Sequence, residues 1–172
     1  LEGRRSYVFR VRASRDALAG DYSGEVTARV PASAVDPARV MLLGDSTTMG
    51  STGDWTWRYR LWKHLEASSP GLVDLVGPRS DLYDRTTRTY GHQDYVDPAF
   101  DRDHAGFWGR GVAFPATPTD QLVAQHDVDT LVVTLGANDL EFLHLSPATV
   151  ADGLRGLVED ARGANAEIDV VL

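Results

Sequence analysis

The chain has 172 residues, 42% hydrophobic and 24% charged, an ordinary balance for a globular protein. Its net charge is -8 and its 17 basic residues form no cluster, which excludes the basic footprint that nucleic-acid binding needs. Cysteine is absent, so neither a disulfide framework nor thiolate chemistry is available. No apolar run approaches the about 18 residues of a membrane span.

The chain opens on Leu1 with no signal-peptide pattern, and Asp169–Leu172 reads as the start of a buried strand. The expectation is a piece of a longer protein. Tyr7–Ala13 alternates as a half-buried antiparallel strand does, a Gly/Asp/Ser-rich turn follows at 20–24, and Glu25–Val30 alternates again. Residues 31–37, rich in Pro and Ala, read as a linker. With Leu1 upstream and Tyr7 opening a strand, residues 1–31 resemble the last strands of a fibronectin type III domain, whose corner tyrosine bonds upstream backbone. The resemblance implies a two-strand antiparallel remnant of a β-sandwich at 1–31, a linker at 32–38 and a second domain at 39–172.

From residue 38 the pattern changes. Val40–Leu43 is a continuous apolar run, as in a parallel strand covered on both faces. Arg58, Leu61, Trp62 and Leu65 recur at helical spacing and predict a helix over 57–68. Leu72–Val76 reads as a strand, whereas residues 78–110 show no period and read as a long loop. A short helix over 119–125 leads into a strand over 130–135. Ser146 then reads as an N-cap with Pro147 at the first helical position of a helix to Arg162, before a strand from Ile168. Alternating β and α units predict an α/β fold with an open parallel sheet.

In such sheets ligands bind outside the carboxyl ends of strands. Two strands end there in polar turns: Gly44-Asp45-Ser46-Thr47-Thr48 and Gly136-Ala137-Asn138-Asp139. Ser46 can present a hydroxyl there, and Asn138 can bring an amide donor to the same place, the pairing acyl transfer requires. Each turn alone also reads as an ordinary capped or polar loop. Nucleotide-binding glycine loops are absent, and so is a Gly-x-Ser-x-Gly elbow, because position 48 is Thr.

Taken together, Val40–Thr48 and Leu131–Asp139 resemble the first and third blocks of the SGNH, or GDSL-type, hydrolases. His104-Ala105-Gly106-Phe107-Trp108-Gly109 resembles the second block in its carbohydrate-esterase branch. The resemblance covers residues 39–172 and implies the N-terminal two-thirds of a flavodoxin-like domain. It implies Ser46 as the catalytic nucleophile. The oxyanion donors it implies are the N–H groups of Ser46 and Gly109 (Gly106 or Gly111 as fallbacks) and the Asn138 amide. Asp45 and Asp139 are read as structural.

The family's Asp-x-x-His block, which supplies the base, has no counterpart after Asn138, where the one histidine is His144. Asp101-Arg102-Asp103-His104 matches the string but lies between blocks one and two, and reads as a decoy. His64 and His126 read as surface residues, and His92 as a residue able to line the cleft. These 172 residues alone are therefore expected to be essentially inactive.

Trp55 and Trp108 stand in turns near the presumed site and are candidates for stacking on a sugar, while Trp57 and Trp62 read as helix packing. The expected substrate is a small-molecule or polysaccharide ester, with no cofactor and no metal, and an extracellular location by the same resemblance. A lipase or general carboxylesterase, and a non-catalytic carbohydrate-binding module on the same fold, are the alternatives. A metal-dependent hydrolase using Asp94–His104 is a third, although its spacing gives no recognisable ligand set.

Overall fold

The computed structural model describes residues 6–15, 18–29, 37–112 and 117–172. The chain divides into two compact units, Leu1–Asp36 and Pro37–Leu172. In the first, β1 (Ser6–Phe9) pairs antiparallel with β4 (Val26–Arg29), Tyr7 opposite Ala28. Between them β2 (Ser14–Arg15) and β3 (Leu18–Ala19) form a second small antiparallel pair. The alternating segments thus become paired strands, as their period requires. Leu1, the Tyr7 side chain and residues 31–36 of the expected linker lie outside the described residues.

The second unit is built on four parallel strands: β5 (Ala38–Gly44), β6 (Val73–Val76), β10 (Thr130–Thr134) and β11 (Asp169–Val171). Their order across the sheet is β11-β10-β5-β6. The first strand of this unit is therefore flanked by its second and third, the flavodoxin-like order. The apolar run of β5 follows from this central place. Met41 and Leu43 face one core with Leu131, Val133, Leu122, Val123, Leu157 and Ala161. Leu42 faces the other, with Leu75, Phe100, Leu61 and Trp62. Helices α3 (Thr119–Gln125) and α5 (Pro147–Ala164) cover the first face, and α2 (Trp57–Ser68) covers the second. Strand β5 is thus buried on both sides, each large side chain contributing about 1.5–3 kcal/mol.

Two short helices start at strand ends: α1 (Ser46–Met49) after β5 and α4 (Ala137–Glu141) after β10. The α5 start is capped as its sequence predicts, with Ser146 Oγ accepting from the Thr149 N–H at 3.1 Å and Pro147 opening the helix. No described helix is long and apolar enough to cross a membrane.

The structure departs from the sequence reading over 78–110. This stretch contains a hairpin, β7 (Leu82–Asp84) with β8 (Thr89–His92), and a two-residue strand, β9 (Ala105–Gly106). Asp84 holds the hairpin turn by accepting from the Thr86 and Thr87 N–H groups at 2.7 and 3.1 Å. β8 is mostly exposed, so no apolar alternation marks it. β9 is too short to show any period.

Candidate active site at the carboxyl ends of the parallel strands

The register of β5 sets the site. Gly44, its last residue, pairs with Thr134 of β10 on one side and Gly106 of β9 on the other. β6 pairs only with the first part of β5, up to Met41, so β9 takes its place beside Leu43 and Gly44. The chain crosses from β6 over β5 to reach β10, which makes the carboxyl ends of β5 and β10 a switch point. The turns bearing Ser46, Gly109 and Asn138 all leave adjacent strands at this end.

Close packing narrows the choice of residues. A Cβ on Gly44 would collide with the Thr48 and Thr134 hydroxyls, which bond to each other at 2.6 Å. A Cβ on Gly106 would stand 2.6 Å from the Met49 backbone nitrogen. Asp45, almost wholly buried, accepts from the Thr47 N–H at 2.9 Å and the Thr47 hydroxyl at 2.8 Å. It thereby caps α1 in the usual N-cap manner. Half-buried Ser46 is the first residue of that helix.

The second segment is held by His104, whose residue exposure is 0%. Its Nδ1 accepts from the Gly106 N–H at 3.0 Å and its Nε2–H donates to the Asp81 carbonyl at 2.9 Å. Both ring nitrogens are committed to backbone, which fixes the neutral tautomer. Burial, reinforced by the charge of Arg58, lowers its pKa to about 3. His104 is not paired with Asp101, which instead accepts from the Leu75 N–H at 2.6 Å. The Asp-x-x-His string is structural in this fold.

This has a pH consequence. A histidine with a folded pKa near 3 and an unfolded value near 6.5 leaves stability intact above about pH 6.5. Stability is then lost as pH falls towards 3, by up to roughly 1.4 kcal/mol per pH unit from this group. His104→Gln removes the titration, so the difference in urea midpoint between variant and parent is expected to shrink from pH 7 to pH 5. A difference that stays constant would show that His104 is not titrating against its burial.

The glycines of this segment separate by environment. The Gly106 N–H is taken by His104. Gly111 is buried, and a Cβ there would stand 2.6 Å from Asp139 Oδ1. Gly109 is exposed at φ +76, with open space around its Cα, and its N–H has no acceptor among the described residues. Between them, Arg110 is buried, donates from one terminal nitrogen to the Ala105 carbonyl at 3.2 Å, and is weakened as a cation by desolvation.

The third turn locks onto the second. Asn138 Nδ2 donates to the Arg110 carbonyl at 2.9 Å. That single bond orients the amide and leaves its second N–H free to serve another acceptor. Asp139, 0% exposed, accepts from the Val112 N–H through both oxygens at 3.0 and 2.9 Å. Asp45 therefore ties its own turn, whereas Asp139 ties its turn to the neighbouring segment.

One positioning residue was not singled out by the sequence reading. Arg58, on α2, is fully buried. It donates to the Thr48 and Met49 carbonyls at the end of α1 (2.6 and 3.2 Å), to the Arg102 carbonyl (2.9 Å) and to the Tyr95 hydroxyl (3.0 Å). Its place within the apolar stripe of α2 was the available signal.

The remaining candidates sit as follows. Trp55 is 46% exposed and packs on Tyr59 at 5.0 Å, beside a cavity of about 320 Å³ lined by Trp55, Tyr59 and Arg60. Trp108 stacks on Tyr83 at 4.4 Å. Trp57 and Trp62 pack against the core, as helix packing requires. His64 is exposed on α2, His126 caps the end of α3, and His144 is exposed. His92 bonds the Thr89 hydroxyl at 2.9 Å. Among the described residues none of the five histidines is hydrogen-bonded to Ser46, and no group of three or more His, Asp or Glu is placed to hold a metal ion.

No protein-family model and no curated protein matches this sequence. Solved structures do. The chain is similar to a family 3 carbohydrate esterase from Talaromyces cellulolyticus, with 27% identity and a TM-score of 0.61 over 77% of this chain and 59% of that one. It is similar to an acetyl esterase, a serine-to-alanine mutant with an acetate ion, at 26% identity and TM-score 0.63 over the same shares. A family 3 carbohydrate esterase from Clostridium thermocellum matches at 23% identity and TM-score 0.60, over 78% of this chain and 60% of that one. The chain thus spans about three-fifths of the length of each. The parallel α/β fold of residues 37–172 is the fold of these SGNH-type esterases.

Proposed function

We propose that this chain carries the nucleophile and oxyanion hole of a serine esterase acting on acyl groups of carbohydrate. The observation that supports the reading is that Ser46, Gly109 and Asn138 follow three adjacent strands at their carboxyl ends, with Asn138 bonded to the Arg110 carbonyl next to Gly109. Ser46 Oγ attacks the ester carbonyl carbon while a base takes its proton. The N–H groups of Ser46 and Gly109 and the second Nδ2–H of Asn138 receive the negative charge that develops on the carbonyl oxygen. Collapse of the tetrahedral intermediate expels the alcohol, and water then releases the acid from acyl-Ser46 by the same route.

We assign the base to a residue outside these 172, since both ring nitrogens of buried His104 are bonded to backbone and none of the other histidines is hydrogen-bonded to Ser46 among the described residues. Removal of one triad member leaves only about 10³- to 10⁴-fold catalysis over water. The 172 residues alone are therefore expected to hydrolyse p-nitrophenyl acetate feebly, and the protein with its base robustly. Similarity to carbohydrate esterases and the half-exposed Trp55 and Trp108 favour a sugar alcohol over a long-chain lipid ester, and an extracellular setting. The first unit is read as the end of a fibronectin type III-like domain on the β1–β4 pairing.

A non-catalytic glycan-binding module on the same fold is the second reading, favoured by the observation that among the described residues no histidine is hydrogen-bonded to Ser46. Acetate release from acetylated xylan, assayed on the protein that includes the base, separates the two. Release that is lost in Ser46→Ala supports the esterase, and glycan binding with no release supports the module.

A further inference from the structure

We propose that the β7–β8 hairpin and the segment before Gly109 form a saccharide subsite, an aromatic shelf that takes a pyranose ring of the substrate. The proposal rests on the carbohydrate-esterase reading and locates its sugar side. Four rings form a continuous set. Trp108 stacks on Tyr83 at 4.4 Å, Tyr83 meets Tyr90 edge-on at 4.9 Å, and Tyr90 stacks on Phe107 at 5.1 Å. None of the four belongs to either hydrophobic core; they form a separate cluster at the surface.

Their supports are specific. Tyr83 exchanges backbone bonds with the loop after α1, its N–H donating to the Gly50 carbonyl and its carbonyl accepting from the Thr52 N–H, both at 3.1 Å. The Phe107 N–H donates to the Gly44 carbonyl at 3.0 Å. The shelf is therefore anchored to the same strand end that bears Ser46. The Arg79 guanidinium lies over Tyr90 and Phe107 at 5.1 and 5.2 Å and is held by Asp81 at 2.7 Å. This cation-π arrangement fixes the rings before a ligand arrives.

The chemistry selects the ligand. Tyr90 remains 42% exposed and Tyr83, Phe107 and Trp108 half-buried, while Thr89 and Asp84 bring polar atoms to the same hairpin. Partly exposed aromatic rings beside the Thr89 hydroxyl match a pyranose, which has one face of C–H groups and a rim of hydroxyls. A long acyl chain would have no use for the polar edge. Trp108 directly precedes Gly109, so a sugar on the shelf lies next to the proposed oxyanion donor. Trp55, on its own loop with Tyr59, is the competing surface.

The test uses this chain and xylotetraose, followed by tryptophan fluorescence and by NMR shifts. Tyr90→Ala is expected to weaken binding about ten-fold, the value of one aromatic contact, and Trp108→Phe to weaken it less. Phe142→Ala, an exposed ring outside the shelf, is expected to leave binding unchanged. Binding lost in Trp55→Ala but kept in Tyr90→Ala overturns the shelf, as does no binding at tens of millimolar. Either result leaves Ser46-dependent hydrolysis untouched, so failure of the shelf and failure of the esterase reading remain separable.

Discussion

Arg58→Met is expected to lower the thermal midpoint of the second unit by roughly 10 °C. Arg58 is wholly buried, and four of its hydrogen bonds go to backbone carbonyls and a tyrosine hydroxyl rather than to a carboxylate. Burial lowers its pKa, a sign that the cation is held at a desolvation cost. Methionine fills much of the volume but leaves the carbonyls of Thr48, Met49 and Arg102 without their donor. Each orphaned buried acceptor costs about 1–3 kcal/mol, so the three carbonyls together cost several kcal/mol. At about 2–4 °C per kcal/mol for a chain of this size, the shift is of order 10 °C. Arg58→Lys keeps the charge but not the fork that reaches three segments at once, and is expected to fall between. Circular dichroism melting is the measurement. A shift below about 2 °C for Arg58→Met would mean that water enters and satisfies these carbonyls.

Asn138→Ala is expected to reduce turnover by about 10²- to 10³-fold in the protein that carries the base, the usual effect of one lost oxyanion donor. KM is expected to change little, because the donor matters most when charge develops on the carbonyl oxygen. The fold is expected to survive, since the side chain makes one hydrogen bond, to the Arg110 carbonyl, and is only half-buried. Asn138→Asp is the sharper variant. It keeps the shape but presents a carboxylate both to the Arg110 carbonyl and to the developing oxyanion, so its loss of turnover is expected to equal or exceed that of alanine. Steady-state kinetics on a p-nitrophenyl ester separates kcat from KM. A rise in KM alone would make Asn138 a substrate-binding residue rather than an oxyanion donor.

What was legible in the sequence follows from what each segment buries. β5 was readable because it is covered on both faces and so is apolar throughout. α2 and α5 were readable because each buries one stripe, and α5 also carries its Ser146 cap and Pro147. The strand-end turns of Ser46 and Asn138 were readable as motifs, though their connection through the Arg110 carbonyl and Asp139 was not, because long-range hydrogen bonds leave no periodic trace. The hairpin over 82–92 escaped for a related reason. β7 is three residues long and β8 is mostly exposed, so neither period appears.

Two residues show how local patterns divide from tertiary use. Arg58 sat in the apolar stripe of α2, and only the fold reveals that the carbonyls at the end of α1 are waiting for it. His104 sat in a string that matches a catalytic motif, and the fold spends both its nitrogens on the backbone of Asp81 and Gly106. Motif and role part where burial removes the histidine from solvent.

The most direct measurement is the site of acylation. The protein with its base is mixed with p-nitrophenyl acetate, quenched in acid during the burst, and digested for peptide mass mapping. The account predicts one added acetyl group on Ser46, absent in Ser46→Ala, with hydrolysis lost in the same variant. An acetyl group on another residue, or hydrolysis that survives Ser46→Ala, would contradict it.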